Sequence, residues 1–270
     1  TQIFTLSFSK IYNEHKNMVY NLALQYIQNS EDAEEIMSNF LHQQQKNWSL
    51  LVLFLGLIIT NYAQQQLKFI PTFNGSRYAL TNKVAINKDT LTIDLLKFYI
   101  SDIKLLEDSI EVYSPKEKHY LFNLENPSAM SISLNVDSNI NFNKIKFCIG
   151  IDSITNVAGA IGGTLDPING MYWAWNSGYV NFKIEGTSTL SNARKNAFKF
   201  HLGGYQHPYN SYRAVLIKID DLSKTAISIN LEQFLTKIEF SQINSVMSPN
   251  TKSIELTNLL PPIFSTLKLD

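Results

Sequence analysis

Two tryptophans and a few histidines are the side chains of this sequence best suited to chemistry. Trp173 and Trp175 lie two positions apart in an aromatic run, so on an extended backbone their indoles would share one face. His119 and His201 lie among alternating apolar and polar residues, and imidazole is a common ligand of metal ions. The competing interpretation of the tryptophans is a hydrophobic plug, because aromatic side chains usually lie in cores. The competing interpretation of each histidine is a solvated or hydrogen-bonded residue of a strand.

Three carboxylates, Asp152, Asp166 and Glu185, lie near turns. They could cap turns through hydrogen bonds from backbone N–H groups, hold a hard cation such as calcium, or pair with Lys97 and Lys183. The sequence assembles no glycosidase pair, Ser-His-Asp order, phosphate-binding glycine loop or cysteine nucleophile. We therefore expect a protein that binds a ligand and is not an enzyme.

The overall charge and the cysteine content exclude several classes of protein. The chain has 23 basic and 23 acidic side chains and no net charge, whereas a nucleic-acid or anionic-membrane partner requires a basic surface. The single cysteine, Cys148, allows neither an internal disulfide nor a cysteine-based zinc site. It alternates with apolar residues and is predicted to be a small buried filler. Apolar residues make up 44% of the chain, which is enough for a hydrophobic core.

From Gln64 onward, apolar residues alternate with polar ones, which is the period of a half-buried β-strand. Clear examples are residues 132–136, 145–151, 180–184, 198–202, 215–219 and 227–231. Turn-rich stretches such as Asn74-Gly75-Ser76 and Gly203-Gly204 separate them, and only Leu231 to Phe234 indicates a helical turn. Many short strands without intervening helices are typical of a sandwich or barrel. The prediction is an all-β fold, an antiparallel β-sandwich domain over residues 64–270.

Residues 37–63 have the pattern of a signal peptide. Met37 opens a weakly basic stretch with Lys46, Leu50 to Ile59 is apolar throughout, and the small residue Ala63 follows. The apolar run is shorter than the ~20 residues of a membrane-spanning helix. Cleavage near Ala63 would leave the domain periplasmic or secreted, with no stable membrane insertion. A buried core helix and an uncleaved signal-anchor are the alternatives.

Residues 1–36 have a helical character, with Ser30 as a good N-cap for the acidic run that follows it. Within them, residues 8–36 resemble the opening of region 2 of extracytoplasmic-function sigma factors. The remainder of that region and the promoter-reading helix-turn-helix do not follow. Because two short helices cannot bury a core of their own, we expect a truncated sigma-factor-like piece left by a gene fusion. The alternative is a membrane-anchored regulator that keeps this piece in the cytoplasm.

The predicted sandwich resembles the MbnP-like family from about Phe69 to the C-terminus. The motifs that carry the resemblance are, in order, Asn74-Gly75, Leu96-Lys97-Phe98-Tyr99-Ile100-Ser101-Asp102-Ile103, Ile149-Gly150-Ile151-Asp152, Asp166-Pro167, Gly170-Met171-Tyr172-Trp173-Ala174-Trp175, Gly178-Tyr179, Lys183-Ile184-Glu185-Gly186 and Phe200-His201-Leu202-Gly203-Gly204. The resemblance implies an extracytoplasmic β-sandwich that binds copper through histidine imidazoles and a tryptophan oxidised to kynurenine. It also implies a partner, a dihaem peroxidase-like maturation enzyme that performs the oxidation.

Matched residue by residue, the resemblance offers both Trp173 and Trp175 as candidates for oxidation. His201 matches its Phe-His-Leu-Gly position, and His119 resembles the start of its His-Leu strand. Alternation puts both histidines opposite the apolar face of their strands, so neither is forced into the core. The additional candidates are His207 in the loop after the double glycine, Asp152, Asp166 and Glu185.

The sequence therefore predicts an exported copper-binding β-sandwich with histidine ligands. The alternative from another class of protein is an adhesion or ligand-binding sandwich. In that case the Trp173/Trp175 pair would remain unmodified and stack on a sugar or on another protein.

Overall fold

The alternating segments form strands, and the strands build two sheets that face each other. In the computed structural model the described residues are 62–137 and 139–269. The predicted helical piece at 1–36 and all but the last two residues of the predicted signal peptide lie outside them. The order of elements is β throughout, apart from short helices, which confirms the predicted all-β sandwich.

The strands begin two residues before the predicted start of the domain. In chain order they are β1 (Tyr62–Phe73), β2 (Ser76–Arg77), β3 (Val84–Ile86), β4 (Asp89–Glu107), β5 (Ile110–Tyr113), β6 (His119–Asn123), β7 (Ser131–Asp137), β8 (Lys144–Ile149), β9 (Tyr172–Trp173), β10 (Gly178–Ser188), β11 (Ala197–Gly203), β12 (Arg213–Lys218), β13 (Thr225–Asn230), β14 (Ser245–Val246) and β15 (Phe264–Lys268).

The smaller sheet is organised around β1. Its order is β15–β13–β1–β2, and β7 also pairs with β1. β1 is antiparallel to β7 along residues 62–68 and parallel to β13 along residues 69–72. The sheet is therefore not antiparallel throughout. A parallel pair needs a long crossover connection, and here the strands of the other sheet lie between β1 and β13 in the sequence.

The larger sheet is organised around β4, the longest strand at 19 residues. Its order is β12–β8–β4–β10–β11–β14, with β3, β5 and β6 also on β4 and β9 on β10. The pairing of β4 with β8 is interrupted between Ser101 and Lys104. Asp102 has a positive φ of 49° at this point. A bulge of this kind bends a long strand.

The inner faces of the two sheets enclose the main apolar core. Phe98 of β4 lies parallel to Phe122 with ring centroids 5.1 Å apart, and Phe122 contacts Phe69 of the smaller sheet at 4.6 Å. Phe147 and Phe264 extend this contact across the interface at 5.5 Å. Each fully buried side chain of this size contributes about 2 kcal/mol, so the packing of the two sheets is the principal source of stability.

A second apolar cluster lies on the outer face of the larger sheet. It consists of Tyr99, Ile151, Leu165, Met171, Trp173, Tyr179 and Val180. The segment 151–178 covers this face. Hydrogen bonds between tyrosine side chains of the sheet and the backbone of the segment hold it there. Tyr99 Oη donates to Thr164 O over 3.0 Å, and Tyr179 Oη accepts from Ile161 N over 3.0 Å.

Three short α-helices are present among the described residues: α1 (Ser153–Val157), α2 (Leu231–Leu235) and α3 (Thr251–Asn258). Each begins with a side chain that accepts a backbone hydrogen bond in its first turn, namely Asp152, Asn230 and Asn250. Such caps satisfy donors that have no partner within the helix. Only α2 coincides with the helical turn predicted from the sequence.

The end of β8 is fixed by a contact between Gly150 and Asn181. A Cβ on Gly150 would lie 2.3 Å from Asn181 Cγ, and Gly150 has a φ of +102°. Asn181 is buried, and its Oδ1 accepts from Ile151 N over 3.0 Å while its Nδ2 donates to Ser211 Oγ over 2.7 Å. One buried amide therefore joins the loops that follow β8 and β11.

We expect Gly150→Ala to lower the free energy of unfolding by about 3 kcal/mol or more, from backbone strain combined with overpacking. Gly75→Ala is the matched control, since it has a φ of +72° but no atom within 4 Å of its Cβ position, and should cost about 1 kcal/mol. Chemical denaturation of both variants measures the difference. Equal losses at the two positions would show that the contact with Asn181 is unimportant.

Candidate functional site

The two tryptophans lie together, but not for the reason that their spacing suggests. β9 ends at Trp173, and Trp175 lies in the turn that leads into β10. The turn, not an extended strand, brings the ring centroids to 5.6 Å. Trp173 is 7% exposed and belongs to the outer apolar cluster, whereas Trp175 is 66% exposed. The plug interpretation therefore describes Trp173 and not Trp175.

Trp173 packs against the strand that carries His201. A Cβ on Gly203 would lie 2.7 Å from Trp173 Cζ3, so only glycine leaves room for this indole. Gly203 is two residues beyond His201 on β11, and alternating residues of a strand share a face. Trp173 and His201 therefore lie on the same side of the sheet.

His201 is held by a carboxylate. Its Nε2 donates to Glu185 Oε1 over 2.7 Å across the β10–β11 pair. Two lysines approach the same carboxylate, Lys183 at 3.9 Å and Lys199 at 3.6 Å. The site at His201 therefore contains two fixed cations beside one anion.

Phe200 and Leu202 point into the main core. As the alternation predicts, His201 lies on the opposite face of β11. The side chain is nevertheless only 7% exposed. Burial lowers the pKa of His201 below its ordinary value of 6.5, although the hydrogen bond with Glu185 opposes this shift. Burial alone would raise the pKa of Glu185, but the contact with His201 and the lysines outweighs it and lowers that pKa.

His119, the first residue of β6, lies beside a different carboxylate. Its Nε2 is 3.6 Å from Asp152 Oδ2, and the two side chains are 16% and 33% exposed. Asp152 also caps α1, accepting from Thr155 N over 2.9 Å and from Thr155 Oγ1 over 2.7 Å. Burial would raise the pKa of Asp152, but these hydrogen bonds and the His119 imidazole lower it.

The structure does not bring the two histidines together. His119 is in register with Ser101 on β4, whereas His201 is in register with Lys183, which faces Lys97 on β4. Three strand spacings of ~4.8 Å and four residues of ~3.3 Å put their Cα atoms roughly 20 Å apart. Each histidine therefore forms a separate pair with its own carboxylate.

The other sequence candidates lie elsewhere. Asp166 accepts from Ile168 N over 2.9 Å and begins a 3₁₀ helix at Pro167. His207 lines a cavity together with Trp175. Within residues 62–137 and 139–269, no cluster of three or more His, Cys, Asp or Glu side chains is positioned to hold a metal ion.

Two features of this face were not identified from the sequence. One is Lys199 beside Glu185, for which the spacing Lys199-x-His201 on one strand face was an available signal; the pairing of a carboxylate with Lys183 was among the sequence alternatives, and Glu185 makes it at 3.9 Å. The other is the cavity between the β9–β10 turn and the β11–β12 loop. It depends on loop paths that no periodic pattern encodes.

The fold and this site together define a two-sheet β-sandwich with histidine–carboxylate pairs on one outer face. A family model described as MbnP matches residues 62–248, and the chain belongs to the MbnP family. Among solved structures it is similar to MbnP from Methylosinus trichosporium, with a TM-score of 0.53 and 9% sequence identity, covering 76% of this chain and 98% of that one. At this identity the likeness concerns the fold alone.

Two further findings concern the chain. No curated protein matches it by sequence. None of the helices in the described part of the chain combines the length and apolar character needed to cross a membrane.

The lowered pKa of His201 predicts that the fold loses stability as the pH falls below about 6.5, because the unfolded chain then binds a proton that the folded chain does not. We expect His201→Gln to flatten this dependence between neutral and mildly acidic pH. Thermal unfolding across that range measures it. Phe200→Leu, a buried change without a titratable group, should keep the dependence of the parent protein. A steep profile that persists in His201→Gln would contradict the assignment.

Proposed function

We propose that this chain is a non-catalytic, extracytoplasmic binding protein that takes a copper ion at His119 and Asp152. The observation that carries the proposal is the approach of His119 Nε2 to Asp152 Oδ2 at 3.6 Å on a partly exposed face. Membership of the MbnP family supports copper as the ligand, and the signal-peptide pattern of residues 37–63 supports a periplasmic or secreted location.

The separation of the two ligand atoms suits a shared metal ion. At 3.6 Å the contact is longer than a good hydrogen bond. Consider two ligand atoms that each lie ~2.0–2.2 Å from one ion. If the ligand–ion–ligand angle is between about 90° (square-planar) and about 110° (tetrahedral), the two atoms are about 3–3.5 Å apart. Little movement is therefore required for both to bind the same ion. Imidazole and carboxylate together are suitable ligands for Cu²⁺ in tetragonal geometry.

Charge favours this pair over the pair at His201. Within the described residues, His119 is the only basic side chain within 4.0 Å of the Asp152 carboxylate, so the pair with a neutral imidazole has a net negative charge. Glu185 has Lys183 and Lys199 beside it. A divalent ion at Glu185 would have to overcome the repulsion of both ammonium groups. His201 is also hydrogen-bonded through the nitrogen that would bind a metal.

The ligand set that the chain offers at this point is small. His119 and Asp152 provide one nitrogen and one oxygen, and water would complete the coordination. We propose binding, and no reaction, as the role of an ion held in this way. The chain's own contribution is to orient the two ligands, Asp152 through its cap on α1 and His119 through its position on β6.

We expect His119→Ala and Asp152→Asn each to weaken Cu²⁺ binding at least tenfold, because each removes a ligand or its charge. Asparagine is as good an N-cap as aspartate, so the second variant keeps α1 intact. Isothermal titration of the purified protein with Cu²⁺ at neutral pH is the measurement.

His201→Ala is the matched control and should leave the copper affinity within about twofold. Loss of binding in His201→Ala with retention in His119→Ala would reverse the assignment of the two pairs. A protein with no measurable copper affinity would end the copper proposal altogether.

Oxidation of a tryptophan by a dihaem peroxidase-like partner is part of the same proposal. Exposure supports Trp175 as the residue that a partner enzyme would contact, with Trp173 buried behind it. Co-expression with such an enzyme should give a peptide with the mass of kynurenine in place of Trp175, found by mass spectrometry. Trp175→Phe should abolish that product, and kynurenine at Trp173 alone would contradict the choice.

A further inference from the structure

We propose that the cavity beside Trp175 is a binding site for a neutral carbohydrate of about disaccharide size. The cavity has a volume of about 440 Å³ and lies between the β9–β10 turn and the β11–β12 loop. Its principal side chains are Trp175, Asn176, Tyr205, Gln206, His207 and Tyr209. The copper ligands His119 and Asp152 do not line it, so this inference is independent of the proposed copper site, and it concerns the protein whose Trp175 indole is intact rather than oxidised.

The walls of the cavity are fixed before any ligand binds. Gly204 turns the chain with a φ of +113°, and a Cβ there would lie 2.3 Å from Tyr209 O. Ser211 donates to Gly204 O from both its N and its Oγ, at 2.9 and 3.0 Å. Ser153 Oγ donates to Tyr205 O over 2.8 Å and joins the loop to α1. A preformed wall reduces the ordering cost of binding.

The aromatic part of the cavity is exposed and held in place. Trp175 is 66% exposed and is supported by the Trp173 ring at 5.6 Å. Tyr209 is also exposed, at 37%. Large aromatic side chains that remain in water together are a sign of a binding surface. The C–H face of a pyranose ring packs well on an indole of this kind.

The polar part of the cavity consists of amides, hydroxyl groups and the His207 imidazole. Asn176, Gln206 and Ser248 supply amides and a hydroxyl, and no Asp, Glu, Lys or Arg lines the cavity. Amide and hydroxyl donors and acceptors match the hydroxyl groups of a sugar, whereas an anionic ligand would find no lysine or arginine in the lining to pair with. A polyproline peptide needs an extended aromatic groove, and a cavity of this volume is better suited to one compact ligand.

The test is saturation-transfer NMR and calorimetry on the purified, copper-free protein with cellobiose, maltose and N,N′-diacetylchitobiose as probes. We expect at least one of the three to bind saturably in the millimolar range. Trp175→Ala should weaken it at least tenfold, and Tyr209→Ala should weaken it as well. Leu216→Ala, which removes an exposed apolar side chain on β12, is the matched control and should bind like the parent protein.

Failure of all three sugars to bind overturns the proposal, as does equal binding by the Trp175→Ala variant. Glucuronic acid binding as tightly as the neutral sugars would contradict a neutral site, and tighter binding of a proline decapeptide would assign the cavity to a peptide. His119→Ala should retain sugar binding whatever its effect on copper. The two proposals can therefore fail separately.

Discussion

The side chain of Asn181 occupies the space that any side chain at Gly150 would need, and both candidate sites depend on this contact. Asn181 binds Ile151 N in the loop that leads to Asp152, and Ser211 in the loop that carries His207. A buried amide without its partners would cost about 1–3 kcal/mol, so neither loop can shift without leaving a polar group unsatisfied. The positions of the Asp152 carboxylate and of the Trp175 cavity are therefore fixed by the same residue of β10.

The outer apolar cluster occupies part of the face on which both histidines lie. Tyr99 and Tyr179 contact each other edge to face at 5.9 Å, and Trp173 belongs to the same cluster. This second core lies on the outer face of the larger sheet, the face that also carries both histidine–carboxylate pairs. It stabilises segment 151–178 against the sheet through burial of apolar surface.

Most of the architecture was predictable because alternation along a strand directly reports which face is buried. Residues 145–149 and 198–202 are strands with the expected faces, whereas Ile151 lies beyond the end of β8 and belongs to the outer cluster and not to the main core. The parallel pairing of β1 with β13 was not predictable, because the alternation within one strand does not indicate which other strand it pairs with. For the site, the motifs indicated His119, Asp152, His201 and Glu185 individually. Their pairing depends on strand register and on the path of a loop, and it was not encoded in any single segment.

The two histidine–carboxylate pairs show that identical chemical groups can be suited to different tasks. At Glu185 the two lysines neutralise the carboxylate, and burial favours a neutral imidazole that donates one hydrogen bond. Such a network rigidifies β10 against β11 but repels an added cation. At Asp152 the carboxylate keeps its charge through hydrogen bonds donated by Thr155, and within the described part of the chain no lysine lies within 4.0 Å of it. The difference in metal affinity that we propose for the two pairs therefore originates in their neighbours. An ion at Glu185 would have to displace a hydrogen bond and approach two ammonium groups, and one ligand would not compensate for both costs.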